Sequence, residues 1–338
     1  MLLLPSGGAT TLAAARRCRR SAAAADARRP PTTRSAMAAA ASSTTTPTPV
    51  SDDHVALAHD LVEAAGRVTT AYFRTGILAD TKSDDSPVTV ADRQAEEAMR
   101  ALLSERAPTH AVFGEEFGLS APPASGSGAG GNTAPQEGKL GDIPEWLWVL
   151  DPIDGTKSFV TGKPLFGTLV ALLHRGEPVL GVIDQPVTRE RWVGVKGKGT
   201  TLNGRPVTTR ACPSVSQAYA YATTPHMFGP VGGATEQAWA RVRDACRIPL
   251  YGCDCYAYGL LAAGHTDLVV EADLKLYDYM ALVPVVEGAG GKITDWRGKA
   301  LRWTAASASG GGGGGGEVVA AGDARVHAEA LGLLGWKE

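Results

Sequence analysis

Cysteine is scarce in this chain, with five in 338 residues: Cys18, Cys212, Cys246, Cys253 and Cys255. No pair has the Cys-x-x-Cys spacing of a zinc site, and a secreted disulfide framework would be denser. Cys212, Cys246, Cys253 and Cys255 are therefore expected as buried reduced thiols, with Cys253-x-Cys255 as a candidate redox handle. Long apolar runs are also lacking: none approaches the roughly 18 residues of a membrane span. Acids are nearly absent from the first fifty residues, where Asp26 stands alone against seven arginines and no lysine. The net charge of −2 thus divides into +6 on that stretch and −8 on the rest. An acidic body argues against a nucleic-acid backbone as partner and suits a protein that gathers cations.

The first fifty residues are rich in Ala, Ser, Thr and Arg, the composition of an organelle transit peptide. Met1 to Leu4 is too short an apolar opening for a signal-peptide core. Residues 1–50 are expected to be a disordered import sequence to the chloroplast stroma, or alternatively to the mitochondrion, with the mature chain starting near 45–52. The remainder, with 44% hydrophobic and 20% charged residues overall, has the composition of a soluble globular protein.

Two regions are expected after that stretch. Over 51–210, Ser51 caps a helix whose apolar residues Val55, Ala58, Leu61, Val62, Ala65, Val68 and Tyr72 recur at spacings of three and four, ending by Gly76. A polar loop at 82–87 leads to a second helix opened by Val88 to Asp92 and buried through Ala95, Met99, Leu102 and Leu103. Ala111 to Phe113 is a short strand, and residues 119–141, rich in Gly, Ser, Ala and Pro, form an insertion. Strands follow at 146–150, 166–173, 179–183, 191–195 and 200–202, with Asn203-Gly204 as a hairpin turn. They predict an antiparallel meander with the 146–150 strand at one side. Over 211–338, helices are predicted at 236–245, 255–263, 279–287 and 325–334. Strands at 267–271, 292–294 and 318–320 alternate with them, as in an α/β layer domain. The glycine run 310–316 reads as a surface loop.

The chemistry centres on Asp151-Pro152-Ile153-Asp154-Gly155-Thr156, directly after the apolar run Trp146 to Leu150. Proline fixes one backbone angle and glycine permits a sharp turn, so two carboxylates can converge at a strand end. Acids that close repel unless a cation or proton lies between them, and hard oxygen ligands suit Mg²⁺. Backbone N–H groups at Gly155, Thr156 and Lys157 can hold a phosphate. Gly114-Glu115-Glu116 places two more acids at a strand end. Asp92 lies at a helix start, where an N-cap role alone would explain it. Glu271 and Asp273 flank another strand end, and Asp278 begins a helix whose dipole favours it.

Taken in order, these stretches resemble the inositol monophosphatase-like superfamily of metal-dependent, lithium-sensitive phosphatases, over roughly residues 52–338. The resemblance implies a layered αβαβα sandwich with the site between two domains, a small phosphorylated substrate, Mg²⁺ as cofactor and a homodimer. It also implies roles residue by residue. Glu115, Asp151, Asp154, Asp278 and the Ile153 carbonyl resemble the metal ligands, and Asp92 and Thr156 the pair that orients and deprotonates the attacking water. Gly155 and Thr156 resemble the phosphate cradle. Ile153, Asp154, Gly155, Thr156, Gly252, Asp254, Glu271 and Asp278 line the substrate side, while Glu116 supports the ligands from behind.

Within that superfamily, Tyr251 to Tyr258, Glu271 to Asp278 and Ser158 to Pro164 look like the histidinol-phosphate phosphatase branch, plant plastid type. Departures are Tyr277-Asp278 where inositol phosphatases usually carry Trp-Asp, Lys157 in place of a small polar residue, and Leu276 where that branch has proline. The implied activity is hydrolysis of histidinol phosphate in histidine biosynthesis. The rivals are an inositol or galactose 1-phosphate phosphatase and a catalytically silent organellar binding module. Histidinol phosphate carries an ammonium and an imidazole, so Asp254, Glu271 and Asp273 are expected to offer up to three carboxylates. The alternative for Asp254 is a cap on the helix beginning at Cys255.

Overall fold

A nine-residue strand reads Trp146 to Asp154 and is buried along its interior, so it needs partners on both edges and cover on both faces. In the computed structural model, which describes residues 50–75, 80–81, 87–88, 90–121, 143–304 and 316–336, it receives both. Residues 1–49, expected to be an import sequence, Gly76, most of the 119–141 insertion and the glycine run before Gly316 lie outside those residues.

Helices α1 (Asp52–Tyr72) and α2 (Val90–Arg106) come first, separated by the small hairpin β1 (Asp80–Thr81) and β2 (Pro87–Val88). Ser51 caps α1, its hydroxyl accepting from the His54 N–H at 3.2 Å. Val88 belongs to β2, so α2 opens two residues later than expected, with Asp92 in its first turn. The larger sheet holds β3 (Ala111–Gly114), β4 (Gly118–Ser120), β5 (Trp146–Asp154), β6 (Gly167–His174), β7 (Glu177–Gln185), β8 (Glu190–Val195), β9 (Gly199–Leu202) and β10 (Arg205–Pro206). Its order is β10-β9-β8-β7-β6-β5-β3-β4. The meander expected from the sequence runs from β5 to β10 with β5 at its side, but β5 is not at the edge of the sheet. β3 pairs with it in parallel and β4 lies beyond, which supplies the second edge that a fully buried strand requires. The Asn203-Gly204 turn has both φ values positive, +49° and +75°, as a tight hairpin demands.

A five-residue helix, α3 (Thr156–Val160), joins β5 to β6. The second sheet has the order β12-β11-β13-β15-β14, with β11 (Tyr219–Ala222), β12 (Ile248–Tyr251), β13 (Leu268–Glu271), β14 (Lys292–Asp295) and β15 (Val318–Ala321). Neither β11 nor β12 was expected. β11 does alternate large and small residues, and β12 carries Pro249, which an edge strand tolerates. The helices are α4 (Ala234–Ala245), α5 (Tyr256–Ala262), α6 (Leu276–Tyr279), α7 (Leu282–Gly288) and α8 (Ala324–Leu334). The single helix expected over 279–287 is therefore two. Pro284 sits in the first turn of α7, where its missing N–H costs nothing.

Period-two alternation sorts the core into layers. Trp148, Leu150, Val170 and Leu172 pack against α1 and α2. Leu147, Val149, Leu169 and Ala171 face α5, α7 and, beyond them, Val269 and Ala320 of the second sheet. Leu268, Val270, Val319 and Ala321 turn the other way, onto α4 and α8. Each leucine and valine among them contributes about 1.5–3 kcal/mol by leaving water. The result is the αβαβα sandwich, and all described residues lie in one compact unit, Thr45–Glu338. Cys212, Cys253 and Cys255 are buried free thiols as expected, whereas Cys246 is half-buried.

Candidate functional site

Strict alternation would send Asp151 and Asp154, three residues apart, to opposite faces of β5. The pairing with β6 prevents this. Asp151 opposes Leu169 and Asp154 opposes Gly167, three steps on one strand against two on the other. That bulge reverses the parity, so both carboxylates reach one side. β5 thus runs through the motif to Asp154 and does not stop where the acids begin. Pro152 has no N–H to offer the ladder, and its carbonyl accepts from the buried Thr168 hydroxyl at 2.8 Å. The Ile153 N–H donates to Asp151 Oδ1 at 3.1 Å, and the Thr156 hydroxyl donates to the Ile153 carbonyl at 3.1 Å.

Gly155 then takes φ +83°, in the left-handed region, and a Cβ there would lie 2.8 Å from the Asp254 carboxyl. Conformation and space both require glycine.

Carboxylate oxygens of Asp151, Asp154 and Asp278 lie within 4.8 Å of one another, and so do those of Asp92, Glu115 and Glu116. The Glu115 N–H donates to the Leu150 carbonyl at 3.2 Å, which sets Glu115 beside Asp151. Glu116, expected behind the ligands, stands in the same trio as Asp92 and Glu115, and its Oε2 lies 3.5 Å from Arg93 Nε.

Sequence reasoning missed Glu96. It is wholly buried and accepts from Arg100 Nε at 2.7 Å, the Glu116 N–H at 2.8 Å and the Phe117 N–H at 3.3 Å. It thereby holds the turn that presents Glu115. Gly114 makes room, since a Cβ there would fall 2.0 Å from Glu96 Oε1. The available signal was spacing: Glu96 follows Asp92 by four residues, on the same helix face.

The second half closes the site. Asp278 Oδ2 accepts from the Lys275 N–H at 2.6 Å, so its capping role coexists with its place in the carboxylate trio. Gly252, Cys253 and Asp254 all have positive φ, +97°, +86° and +46°. Non-glycine residues held this way are strained and cluster at functional sites. Asp254 does not cap α5, which begins from Cys255 without a side-chain cap. Its Oδ2 accepts instead from the Ser158 hydroxyl at 2.8 Å, while the Cys255 N–H donates to Asp154 Oδ2 at 2.6 Å. Glu271 is held by the Thr223 N–H at 3.0 Å and the Tyr258 hydroxyl at 2.9 Å. Tyr258 entered the sequence reading only as the last residue of the Tyr251–Tyr258 stretch, with no role of its own. Asp273 is not brought to Asp254 and Glu271. Its side chain is 79% exposed and paired with Lys275 Nζ at 3.2 Å.

Burial, then Glu115, Asp154, Asp278 and Asp92, pushes Asp151 well above the usual carboxylate range. Burial, then Asp254 and Asp278, does the same to Asp154, against the opposing Cys255 N–H. Asp278 is pushed up to about 7 by burial, with the Lys275 N–H opposing and Glu115 and Glu271 adding to the rise. Burial also lifts Glu271 to about 7, against its bonds from Thr223 and Tyr258. Lys163 and Lys157 partly offset the rise that burial imposes on Asp254. Hard, buried oxygen donors that raise one another's pKa fit a divalent cation.

A sequence profile described as the inositol monophosphatase family matches residues 51–331. The chain belongs to the inositol monophosphatase family. Among its curated relatives is the chloroplastic bifunctional phosphatase IMPL2 of Arabidopsis thaliana, 50% identical over 285 residues, 84% of this chain and 76% of the relative. A histidinol-phosphatase of Chlorobaculum parvum is 36% identical over 72% of this chain and 86% of its own length. Among solved structures, an inositol monophosphatase from Zymomonas mobilis superposes with a TM-score of 0.69 at 42% identity, covering 84% of this chain and 98% of that one. This inositol monophosphatase family member is therefore a phosphatase of a metal-dependent family, with acidic clusters placed to hold a metal. Among its described residues no helix is long and apolar enough to cross a membrane.

Proposed function

We propose that this protein is a Mg²⁺-dependent histidinol-phosphate phosphatase of the plastid. The observation that carries the reading is the bulge in β5, which turns Asp151 and Asp154 to one side, against Asp278 of the second half. Glu115, Asp151, Asp154, Asp278 and the Ile153 carbonyl would hold the ion. A bound divalent cation supplies charge neutralisation at phosphoryl oxygens and lowers the pKa of water toward neutrality. The chain's own groups do the rest. Asp92 takes the proton of the attacking water, and the Thr156 hydroxyl, now on the Ile153 carbonyl, orients that water. The N–H groups of Gly155 and Thr156 receive the phosphate. Positioning and electrostatics must supply most of the rate, because uncatalysed phosphomonoester hydrolysis is among the slowest known reactions.

For the rest of the substrate, Gly252, Asp254 and Glu271 face the alcohol portion. Two carboxylates suit an ammonium better than a neutral polyol. The name of the Chlorobaculum relative supports the same choice, and that of the Arabidopsis relative, with the arginine-rich first fifty residues, supports a plastid address. The 42% identity to an inositol monophosphatase favours a second reading, inositol 1-phosphate as substrate. Phosphate release is measured over histidinol phosphate, inositol 1-phosphate, galactose 1-phosphate and adenosine bisphosphate, with and without Mg²⁺. The highest kcat/KM is expected on histidinol phosphate, with no turnover in EDTA. A preference for inositol 1-phosphate replaces the first reading by the second.

A further inference from the structure

The end of β13 carries an acid where a core would be content without one. Glu271 is 3% exposed, in a sheet whose other central residues Leu268, Val269 and Val270 are wholly buried and apolar. Replacing buried charge by well-packed apolar groups is often neutral or stabilising. Filling space therefore does not explain Glu271, and still less a second polar group aimed at it. That second group is Tyr258 of α5. Its side chain is fully buried among Trp192, Leu261 and Val269 of the central core, yet its hydroxyl donates to Glu271 Oε2 at 2.9 Å.

The opposite oxygen is fixed independently. The Thr223 N–H donates to Glu271 Oε1, the Gly252 N–H donates to the Thr223 carbonyl at 3.0 Å, and Gly252 starts the left-handed run that ends at Asp254. Tyr258, Glu271, Thr223 and Gly252 thus form one hydrogen-bonded path behind the substrate side. Both groups holding Glu271 are donors, and two of the roughly four acceptor positions of a carboxylate are used. What stays open is acceptor capacity and negative charge.

We propose that Tyr258 is a positioning residue for substrate selection: its hydroxyl orients the Glu271 carboxylate toward the cationic part of the substrate's alcohol group. This rests on the histidinol phosphate reading above. A phenol that only fills the core would act equally on every substrate.

The experiment is a double-mutant cycle with Tyr258→Phe, Glu271→Gln and the pair, read on histidinol phosphate and on 2-glycerophosphate, which lacks a cation. Tyr258→Phe is expected to lower kcat/KM for histidinol phosphate about tenfold, mostly through KM, as for loss of a hydrogen bond to a charged group. On 2-glycerophosphate the change should stay below about twofold, and the double variant should be no worse than Glu271→Gln alone. Equal losses on both substrates, no loss on either, or additive losses in the cycle overturn the assignment. Thermal melting of each variant separates a folding defect from a kinetic one, and Tyr258→Leu, which keeps an apolar filler, repeats the cycle if Tyr258→Phe does not fold. A wild-type enzyme that ignores histidinol phosphate ends the substrate reading by itself. The cycle is then run on the best substrate of the panel, where additivity still overturns the role of Tyr258.

Discussion

Glu96 and Asp151 are both buried carboxylates beside the first sheet, and the protein keeps them in opposite ways. Glu96 lies against Arg100 and two backbone N–H groups. Asp184 and Asp267 are kept likewise, by Arg191 and Arg210. Asp151 sits among Asp154, Asp278, Glu115 and Asp92. A buried charge with its counter-charge inside the chain is a structural part. Buried charges that face one another are a site waiting for a cation from outside. One kind of acid is needed to fold, the other to work, and substitutions at the two should separate stability from activity.

The largest separation is expected at Asp154→Asn. The amide keeps an acceptor for the Cys255 N–H but removes one charge from a repelling cluster. Mg²⁺-dependent turnover should fall by more than about a hundredfold, beyond the loss typical of an outer partner of a metal ligand. The melting temperature in EDTA should stay level or rise. Near-normal turnover would take Asp154 out of the metal site.

Glu96→Ala should do the reverse to stability. It leaves Arg100, 16% exposed, without its carboxylate and frees the turn at Glu115, at a cost of about 3 kcal/mol. Urea unfolding measures the loss. A change within about 0.5 kcal/mol would mean that Glu96 is not the strut described here.

The smallest effect is on pH dependence. Asp151, Asp154, Asp278 and Glu271 have raised pKa values when folded, the last two at about 7. Between the unfolded values near 4 and about 7 the folded state holds more protons than the unfolded chain. The stability these groups contribute when protonated is lost as pH rises through 7. In EDTA the melting temperature should therefore rise by at least about 2 °C from pH 8 to pH 6. Saturating Mg²⁺ should abolish or invert that trend, because protons then compete with the ion. A rise of equal size with and without Mg²⁺ would assign it to groups elsewhere.

Local sequence determined much of this. The three- and four-residue spacing from Val55 to Tyr72 specifies an amphipathic helix without outside help, and Asn203-Gly204 specifies its hairpin through backbone preference alone. The identity of the ligand-type residues was equally legible, since Asp151-Pro152-Ile153-Asp154-Gly155-Thr156 is a local string and Glu115 and Asp278 are acids at element ends. Contacts between distant segments decided the rest. The side to which Asp154 points depends on a register slip against Gly167, a partner thirteen residues away whose pairing no local rule dictates. The buried position of β5, between β6 and β3, depends on a crossing chain that a meander read strand by strand does not contain. Glu96 and Tyr258 gained their meaning only when folding set them against Glu116 and Glu271. On their own helices, an acid four residues after Asp92 and a tyrosine on an apolar face are ordinary. Periodicity acts within an element and is written in the sequence, whereas the partner of a buried polar group belongs to another element and is fixed by packing.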